Sequence, residues 1–159
     1  MTDNSQVQDA RKRTDNVLAT RHDELYGHVL ACVADVLAID PGKITSSASL
    51  IDDLGAESLD FLDLVFRLET DFKVKIPRDG IRVMAQDGLA DGFEQAGSLT
   101  PAALERLKIL MPEVPQARLA TGLKSHQLPN LFTVETFVRL VAWRMADTAT
   151  ATPVASKTA

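Results

Sequence analysis

The sequence is short of cysteine, aromatic residues and long apolar runs, and these shortages limit what kind of protein it can be. Its 159 residues include one cysteine, Cys32, which excludes an internal disulfide framework and predicts a reducing, cytoplasmic setting. No apolar run approaches the roughly 20 residues that a membrane-spanning helix needs. One Trp, one Tyr and six Phe predict a core that is mostly aliphatic.

Positive charge is also scarce. Seventeen Lys and Arg against 22 Asp and Glu give a net charge of −5. This balance argues against a nucleic-acid binder, which needs a basic face, and it suits protein partners that carry basic patches. The basic cluster Arg11–Arg13 is followed by no apolar segment, so no secretory signal is predicted.

The apolar pattern predicts one domain, residues 21–146, between two disordered tails, 1–20 and 147–159, that lack a sustained apolar period. A first helix is predicted over 22–38, where apolar residues recur at three- and four-residue spacing. The sequence Asp40-Pro41-Gly42 ends it.

The second predicted helix, residues 58–72, carries two apolar stripes. The stripe predicted to face the core consists of Phe61, Leu64, Val65, Leu68 and Phe72. Leu59, Leu62 and Phe66 lie nearly opposite. A helix with one buried stripe does not need a second one. The second stripe is therefore either a docking surface or a surface that another part of the chain covers.

A last helix is predicted over 134–145, with Thr133 as its N-cap. Between it and Pro77, Thr100-Pro101 predicts the start of a helix over 102–111. Short helical stretches are predicted around 81–85 and 89–93, and 112–130 is predicted to be a loop. No segment alternates apolar and polar residues for long enough to predict a strand, so the fold class is all-α.

The densest group of chemically informative residues precedes and begins the second helix. In Leu50-Ile51-Asp52-Asp53-Leu54-Gly55-Ala56-Glu57-Ser58-Leu59-Asp60-Phe61, a serine follows a glycine-containing turn at the start of a helix. From residue 50 to residue 72 seven acidic residues face one basic residue, Arg67. Such a field speeds encounter with basic partners without adding much affinity.

The run KITSSASLIDDLGAESLDFLDLVFRLETDFKVKIP (43–77) resembles the acyl carrier protein family, and TVETFVRLVAWRM (133–145) resembles its last helix. The resemblance implies a four-helix acyl-carrier bundle with an insertion at about 78–131. It implies that a phosphopantetheinyl transferase esterifies Ser58 with 4′-phosphopantetheine from coenzyme A. The chain would then be a monomer without catalytic activity of its own. It would carry acyl groups as thioesters to acyl-transferring, chain-elongating or modifying enzymes. The implied pathway is fatty-acid, specialised lipid or polyketide biosynthesis.

The same resemblance, with the acidic field, predicts a partner-binding surface around Ser58. Its predicted residues are Glu57, Leu59, Asp60, Leu62, Asp63 and Phe66. Two features depart from the family pattern. Glu57 replaces the usual Asp before the serine, and the insertion is far longer than the usual connection. An acyl chain can fold back between the helices of such a bundle. The helices of the insertion are predicted either to enlarge the cavity that would hold this chain or to form a surface for a partner enzyme.

Other interpretations stay open beside this one. Ser58 alone would be an ordinary N-cap, and the chain would then be a helical interaction module that never receives the arm. A peptidyl or polyketide carrier shares the same chemistry. A serine hydrolase is disfavoured because the surroundings of Ser58 lack the G-x-S-x-G pattern. No metal site is predicted: His28 and Cys32 lie four apart, but no further ligand is apparent, and Cys32 is expected to be a small buried residue.

Overall fold

In the computed structural model, which describes residues 4–77, 80–86, 89 and 92–158, the chain is mostly helical, and the predicted all-α fold is confirmed. The helices are α1 (Ser5–Leu37), α2 (Ser58–Phe72), α3 (Gly80–Gln86), α4 (Pro101–Leu110) and α5 (Val134–Thr158). Short 3₁₀ helices span Pro41–Lys43, Gln116–Arg118 and Ser125–Leu131. None of the helices in the described ranges is long and apolar enough to cross a membrane.

Helices α1, α2 and α5 supply the part of the core nearest to Ser58. Leu25, Val29 and Val33 of α1 are fully or almost fully buried, as are Val134, Phe137, Val138 and Val141 of α5. Thr133 begins α5 as predicted, because its side-chain oxygen accepts a hydrogen bond from the Thr136 N–H at 3.2 Å. Helix α2 has the predicted bounds. The bundle therefore follows the periodicity of the sequence.

The two ends of the chain differ from the sequence prediction. Residues 5–20, expected to be a tail, form the first half of α1, and Val7, Ala10 and Thr14 within it are buried. The apolar residues here are too sparse to predict a helix from the sequence alone, and this half of α1 is stabilised by packing against distant parts of the chain. At the other end, α5 continues past residue 146 to Thr158, and residue 159 lies outside the described residues.

The insertion combines helices with a small hairpin. Thr100 caps α4 by accepting a hydrogen bond from the Ala103 N–H at 3.2 Å, so the predicted helix start is confirmed. The stretch around 81–85 lies in α3, whereas Phe93 precedes strand β1 (Glu94–Gln95), which pairs antiparallel with β2 (Ser98–Leu99). Residues 87, 88, 90 and 91, within or beside the second predicted stretch, lie outside the described residues. The predicted loop over 112–130 contains one 3₁₀ helix and most of a second.

The insertion packs on the first half of α1. The guanidinium of Arg106 in α4, itself buried, donates a hydrogen bond to Asn4 Oδ1 at 3.2 Å, just before α1 begins. Leu104, Leu107 and Leu110 of α4 belong to the same core as Val7 and Ala10. Each segment thus buries apolar surface that the other would leave exposed, and this explains why both are ordered.

A buried charged group lies where α1, α5 and the insertion meet. Glu113, which follows α4, accepts a hydrogen bond from the Thr136 hydroxyl at 2.7 Å and lies 3.7 Å from Arg139 Nε. Arg139 also pairs with Asp15 of α1 at 3.0 Å. Burial raises the pKa of Glu113, outweighing the hydrogen bond from Thr136 and the charge of Arg139, which lower it.

This raised pKa predicts a pH-dependent contribution to stability. A carboxyl with a raised pKa in the folded state contributes stability that is present below its unfolded pKa and is lost as the pH rises through the folded pKa. We expect Glu113→Gln, which cannot ionise, to gain stability relative to the wild type as the pH rises from about 4 to about 8. Urea unfolding of both proteins across this range measures the difference. A difference that does not change with pH contradicts the assignment.

Candidate functional site

A tight turn delivers the chain to the start of α2. The Ala56 N–H donates to the carbonyl oxygen of Leu50 at 2.8 Å, and the Gly55 N–H donates to that of Ile51 at 3.1 Å. Gly55 has a φ of 76°, in the left-handed region that a glycine enters without steric penalty. The turn fixes where Ser58, three residues later, begins the helix.

The loop before Ser58 is held by its own carboxylates and by the end of the insertion. Asp53 accepts a hydrogen bond from the Ser49 N–H at 2.8 Å. The Ser49 hydroxyl donates to the carbonyl oxygen of Asn130 at 2.7 Å, and the Asn130 side-chain amide donates to Asp52 at 3.0 Å. Arg118 lies 3.6 Å from the same carboxylate of Asp52. Sequence reasoning missed Arg118 and Asn130, since no local pattern connects residues this far apart.

Ser58 is the exposed first residue of α2. The Asp60 carboxylate accepts a hydrogen bond from the Glu57 N–H at 2.8 Å, so another residue supplies a cap at this helix end. Within the described ranges, no hydrogen bond to the Ser58 hydroxyl is present. The hydroxyl is therefore accessible and is not needed to cap the helix, which weakens the interpretation of Ser58 as only an N-cap.

The two stripes of α2 have opposite environments. Leu64 and Leu68 of the core stripe are 2% and 0% exposed, whereas Leu59, Leu62 and Phe66 are 75%, 41% and 66% exposed. The second stripe starts beside Ser58, and the described residues of the insertion do not cover it. Exposure of large apolar side chains gains nothing in stability, so of the two alternatives from the sequence the docking surface stays as a prediction.

The predicted acidic residues around the stripe have different roles. Asp63 lies 3.4 Å from Arg67, which also pairs with Asp35 of α1. The hydrogen bond that Arg67 donates to the Asp35 carboxylate is the largest cause of the raised pKa of Arg67. Arg67 is thereby occupied by two carboxylates, whereas Glu57 next to Ser58 is exposed. The field around Ser58 consequently stays negative.

An apolar cleft opens beside the start of α2. Its lining residues all lie between positions 33 and 64, and they are Val33, Val36, Leu37, Leu50, Ala56, Asp60, Phe61 and Leu64. Residues 56 and 60 flank Ser58 on either side. On one side of the cleft, Phe61 packs against Phe137 and Phe132 with ring centroids 5.8 and 6.3 Å apart. No residue from the described part of the insertion contributes to the lining.

Cys32 and the histidines of α1 have partners other than Ser58. His22 bonds to Glu135 at 2.8 Å, and His28 bonds to Asp71 at 2.6 Å. Burial, followed by the charge of Asp71, raises the pKa of the buried Cys32 thiol to about 11. Cys32 is buried, as expected from the sequence, and its raised pKa makes it a poor nucleophile at neutral pH.

Comparisons with known proteins support the resemblance. Residues 28–81 match the family described as phosphopantetheine attachment site. The chain is similar to an acyl carrier protein of Thermotoga maritima, 43% identical over 54 residues that cover 34% of this chain and 67% of that protein. It is also 38% identical to an acyl carrier protein of Bdellovibrio bacteriovorus over 66 residues, 41% of this chain and 85% of that protein. The chain belongs to the acyl carrier protein family.

A third acyl carrier protein, from Zymomonas mobilis, is 45% identical over 49 residues that cover 31% of this chain and 63% of that protein. No solved structure matches the chain. The family match and these relatives support a covalently bound 4′-phosphopantetheine as the cofactor of this chain. The exposed hydroxyl of Ser58 at the head of α2, inside the matched residues and without a hydrogen bond to any described residue, fits such an attachment. Most of the insertion lies beyond the family match.

The two stripes of α2 predict opposite effects of shortening a side chain. We expect Phe66→Ala to change the free energy of unfolding by no more than about 0.5 kcal/mol. Leu68→Ala should lower it by about 2–5 kcal/mol, because it leaves a cavity in the core. Urea denaturation followed by circular dichroism measures both. A large loss of stability in Phe66→Ala would contradict the exposure of its stripe.

Proposed function

We propose that Ser58 carries the phosphopantetheine arm of this carrier protein and that the arm holds acyl intermediates as thioesters for separate biosynthetic enzymes. The observation that carries the proposal is the exposed Ser58 at the head of α2, within the matched residues. The arm supplies the thiol, and the chain positions it. In this account the protein has no catalytic activity of its own, and fatty-acid or specialised lipid biosynthesis is the proposed pathway class.

The charges around Ser58 support modification of its hydroxyl by a docking enzyme and not by unassisted binding of a phosphate compound. The helix N-terminus favours a phosphate group by about 0.3–1 kcal/mol when exposed. Glu57 and Asp60 place two carboxylates beside this partial positive charge. The net field is negative, so an anion would not bind here unaided. A transferase with a basic patch offsets that field when it docks.

Within the described residues, no histidine forms a hydrogen bond with Ser58 and could act as its base. His22 and His28 are engaged with carboxylates elsewhere, and neither is bonded to Ser58. In this proposal the transferase therefore removes the hydroxyl proton as Ser58 attacks the β-phosphorus of coenzyme A. The serine ester forms, and the bond to the 3′,5′-adenosine diphosphate leaving group breaks. The same lack of a bonded histidine disfavours the serine hydrolase interpretation.

The exposed stripe of Leu59, Leu62 and Phe66 is the proposed contact for partner enzymes, with Glu57, Asp60 and Asp63 beside it. An apolar centre supplies contact energy, and the acidic rim speeds encounter and screens with salt. A carrier needs this combination because it must leave each enzyme after a visit. Such contacts release quickly when the buried area is small.

The cleft between α1 and α2 is the proposed entry point for an acyl chain, which must widen it, because the empty cleft has room for about one water molecule. Its lining is almost entirely aliphatic or aromatic, and each methylene transferred there from water contributes about 0.8 kcal/mol. None of the lining residues comes from the described part of the insertion, which supports a role in packing over a role as an acyl wall.

Two alternatives remain for experiment. An interaction module that never receives the arm would use the same stripe, and a peptidyl or polyketide carrier would use the same Ser58.

Cytoplasmic location and a monomeric state stay predictions from the single cysteine and the resemblance.

The modification of Ser58 has a direct test. Incubation of the full-length protein with coenzyme A and a broad-specificity phosphopantetheinyl transferase should add the mass of one phosphopantetheine. We expect no gain in Ser58→Ala and a full gain in Ser47→Ala, a matched change at another exposed serine. Intact-protein mass spectrometry reads the result. A folded wild-type protein that gains no mass overturns the carrier proposal and favours the interaction module.

The docking stripe is tested by the rate of the same reaction. We expect Phe66→Ala to lower kcat/KM of the transferase about fivefold or more, the loss of roughly 1 kcal/mol of contact energy, without unfolding the protein. Gln116→Ala, an exposed position in the insertion, should leave the rate unchanged. Equal rates for Phe66→Ala and wild type with several partner enzymes would contradict the docking assignment.

A further inference from the structure

A cluster of three metal-binding side chains lies near the far end of α2 from Ser58. His28 and Cys32 of α1 meet Asp71, which is 13 residues after Ser58 and so about 20 Å along the helix. His28 Nε2 is 2.6 Å from Asp71 Oδ2, and Cys32 Sγ is 3.7 Å from the same oxygen. All three ligand atoms lie within 4.8 Å of one another. Sequence spacing suggested the first two residues, and the packing of α2 adds the third.

The two helices hold these side chains in place. Residues 28 and 32 are four apart, so their side chains project from the same face of α1. The ring of Phe72, next to Asp71, packs on the His28 ring with centroids 4.7 Å apart. Leu68, one turn before Phe72, is fully buried and fixes the end of α2. The convergence therefore follows from core packing and does not depend on a flexible loop.

The distances are close to those around a tetrahedral metal ion. With zinc–ligand lengths near 2.0 Å for nitrogen and oxygen and 2.3 Å for sulfur, the nitrogen and oxygen would lie about 3.3 Å apart and the sulfur and oxygen about 3.5 Å apart. The sulfur–oxygen distance is already suitable. His28 and Asp71 must separate by less than about 1 Å, and their side chains, 44% and 39% exposed, have room to do so.

We propose that His28, Cys32 and Asp71 bind one divalent cation of the zinc class, with water as the fourth ligand. The mixture of imidazole, thiolate and carboxylate suits zinc or cobalt and does not suit magnesium or calcium, which prefer oxygen alone. As the metal–sulfur bond forms, the thiol proton passes to the solvent. Arg67 is the nearby positive charge, and its pairing with Asp35 and Asp63 offsets it. The ion would link α1 to the end of α2 without touching Ser58.

Cobalt(II) is the probe for this site. The titration uses the full-length Ser58→Ala protein, so that the thiol of the arm cannot supply a second sulfur ligand. We expect a sulfur-to-cobalt charge-transfer band in the near ultraviolet that saturates at one ion per chain and is displaced by zinc. Cys32→Ser in this background should abolish the band, and Asp71→Asn should weaken binding about tenfold or more.

Controls separate ligation from folding. His126→Gln changes an exposed histidine outside the cluster and should bind cobalt like its parent, whereas His28→Gln should bind as weakly as Asp71→Asn. Circular dichroism before metal addition shows that each variant is folded. Zinc should raise the melting temperature of the parent by several degrees and leave that of Cys32→Ser unchanged. A folded parent without the charge-transfer band in excess cobalt, or equal affinity in Asp71→Asn, overturns the site and leaves a hydrogen-bonded cluster only.

Discussion

Burial of Leu64 and Leu68 fixes the rotation of α2 about its axis, and the whole candidate site depends on that rotation. With these two side chains in the core, the helical period directs Leu59, Leu62 and Phe66 towards solvent. The turn at Gly55 fixes the position of the helix start, and so it determines where Ser58 lies. The proposed function needs both, since the proposed attachment point and the proposed docking stripe must reach an enzyme from one side.

The insertion contributes to this arrangement from a distance. Its last segment binds the loop before Ser58 through Asn130, and its helix α4 packs on the first half of α1. The stripe beside Ser58 stays free of its described residues. The insertion therefore enlarges the core on the side away from the exposed stripe of α2. Its buried charged group, Glu113 with Arg139, joins the added parts to α5, which belongs to the bundle itself.

How much the sequence could predict depended on the range of the interactions. Helix α2 and the beginnings of α4 and α5 were predictable because caps, prolines and apolar spacing are local signals. Residues 5–20 were not, since Val7 and Ala10 are stabilised by an insertion some 100 residues later. The hairpin at 94–99 has strands of two residues, too short for any alternation to be visible.

For the candidate site, too, the sequence predicted the features that depend on local patterns and missed those that depend on tertiary packing. The sequence pointed to Ser58 and to both stripes of α2, and the resemblance supplied their chemical meaning. The cleft lining and the contacts of Asp52 and Asp71 depend on how helices and loops meet, which no local pattern encodes. Asp71 is the clearest case, because its partners His28 and Cys32 lie about 40 residues earlier on another helix.

The central claim is that Ser58 carries the arm in the living cell, and the most direct measurement is fragmentation mass spectrometry of the protein purified from its native host. The account predicts a phosphopantetheine on the peptide that contains Ser58, with acyl groups attached through its thiol in part of the sample. A protein that is isolated wholly unmodified, or modified at another serine, would contradict it.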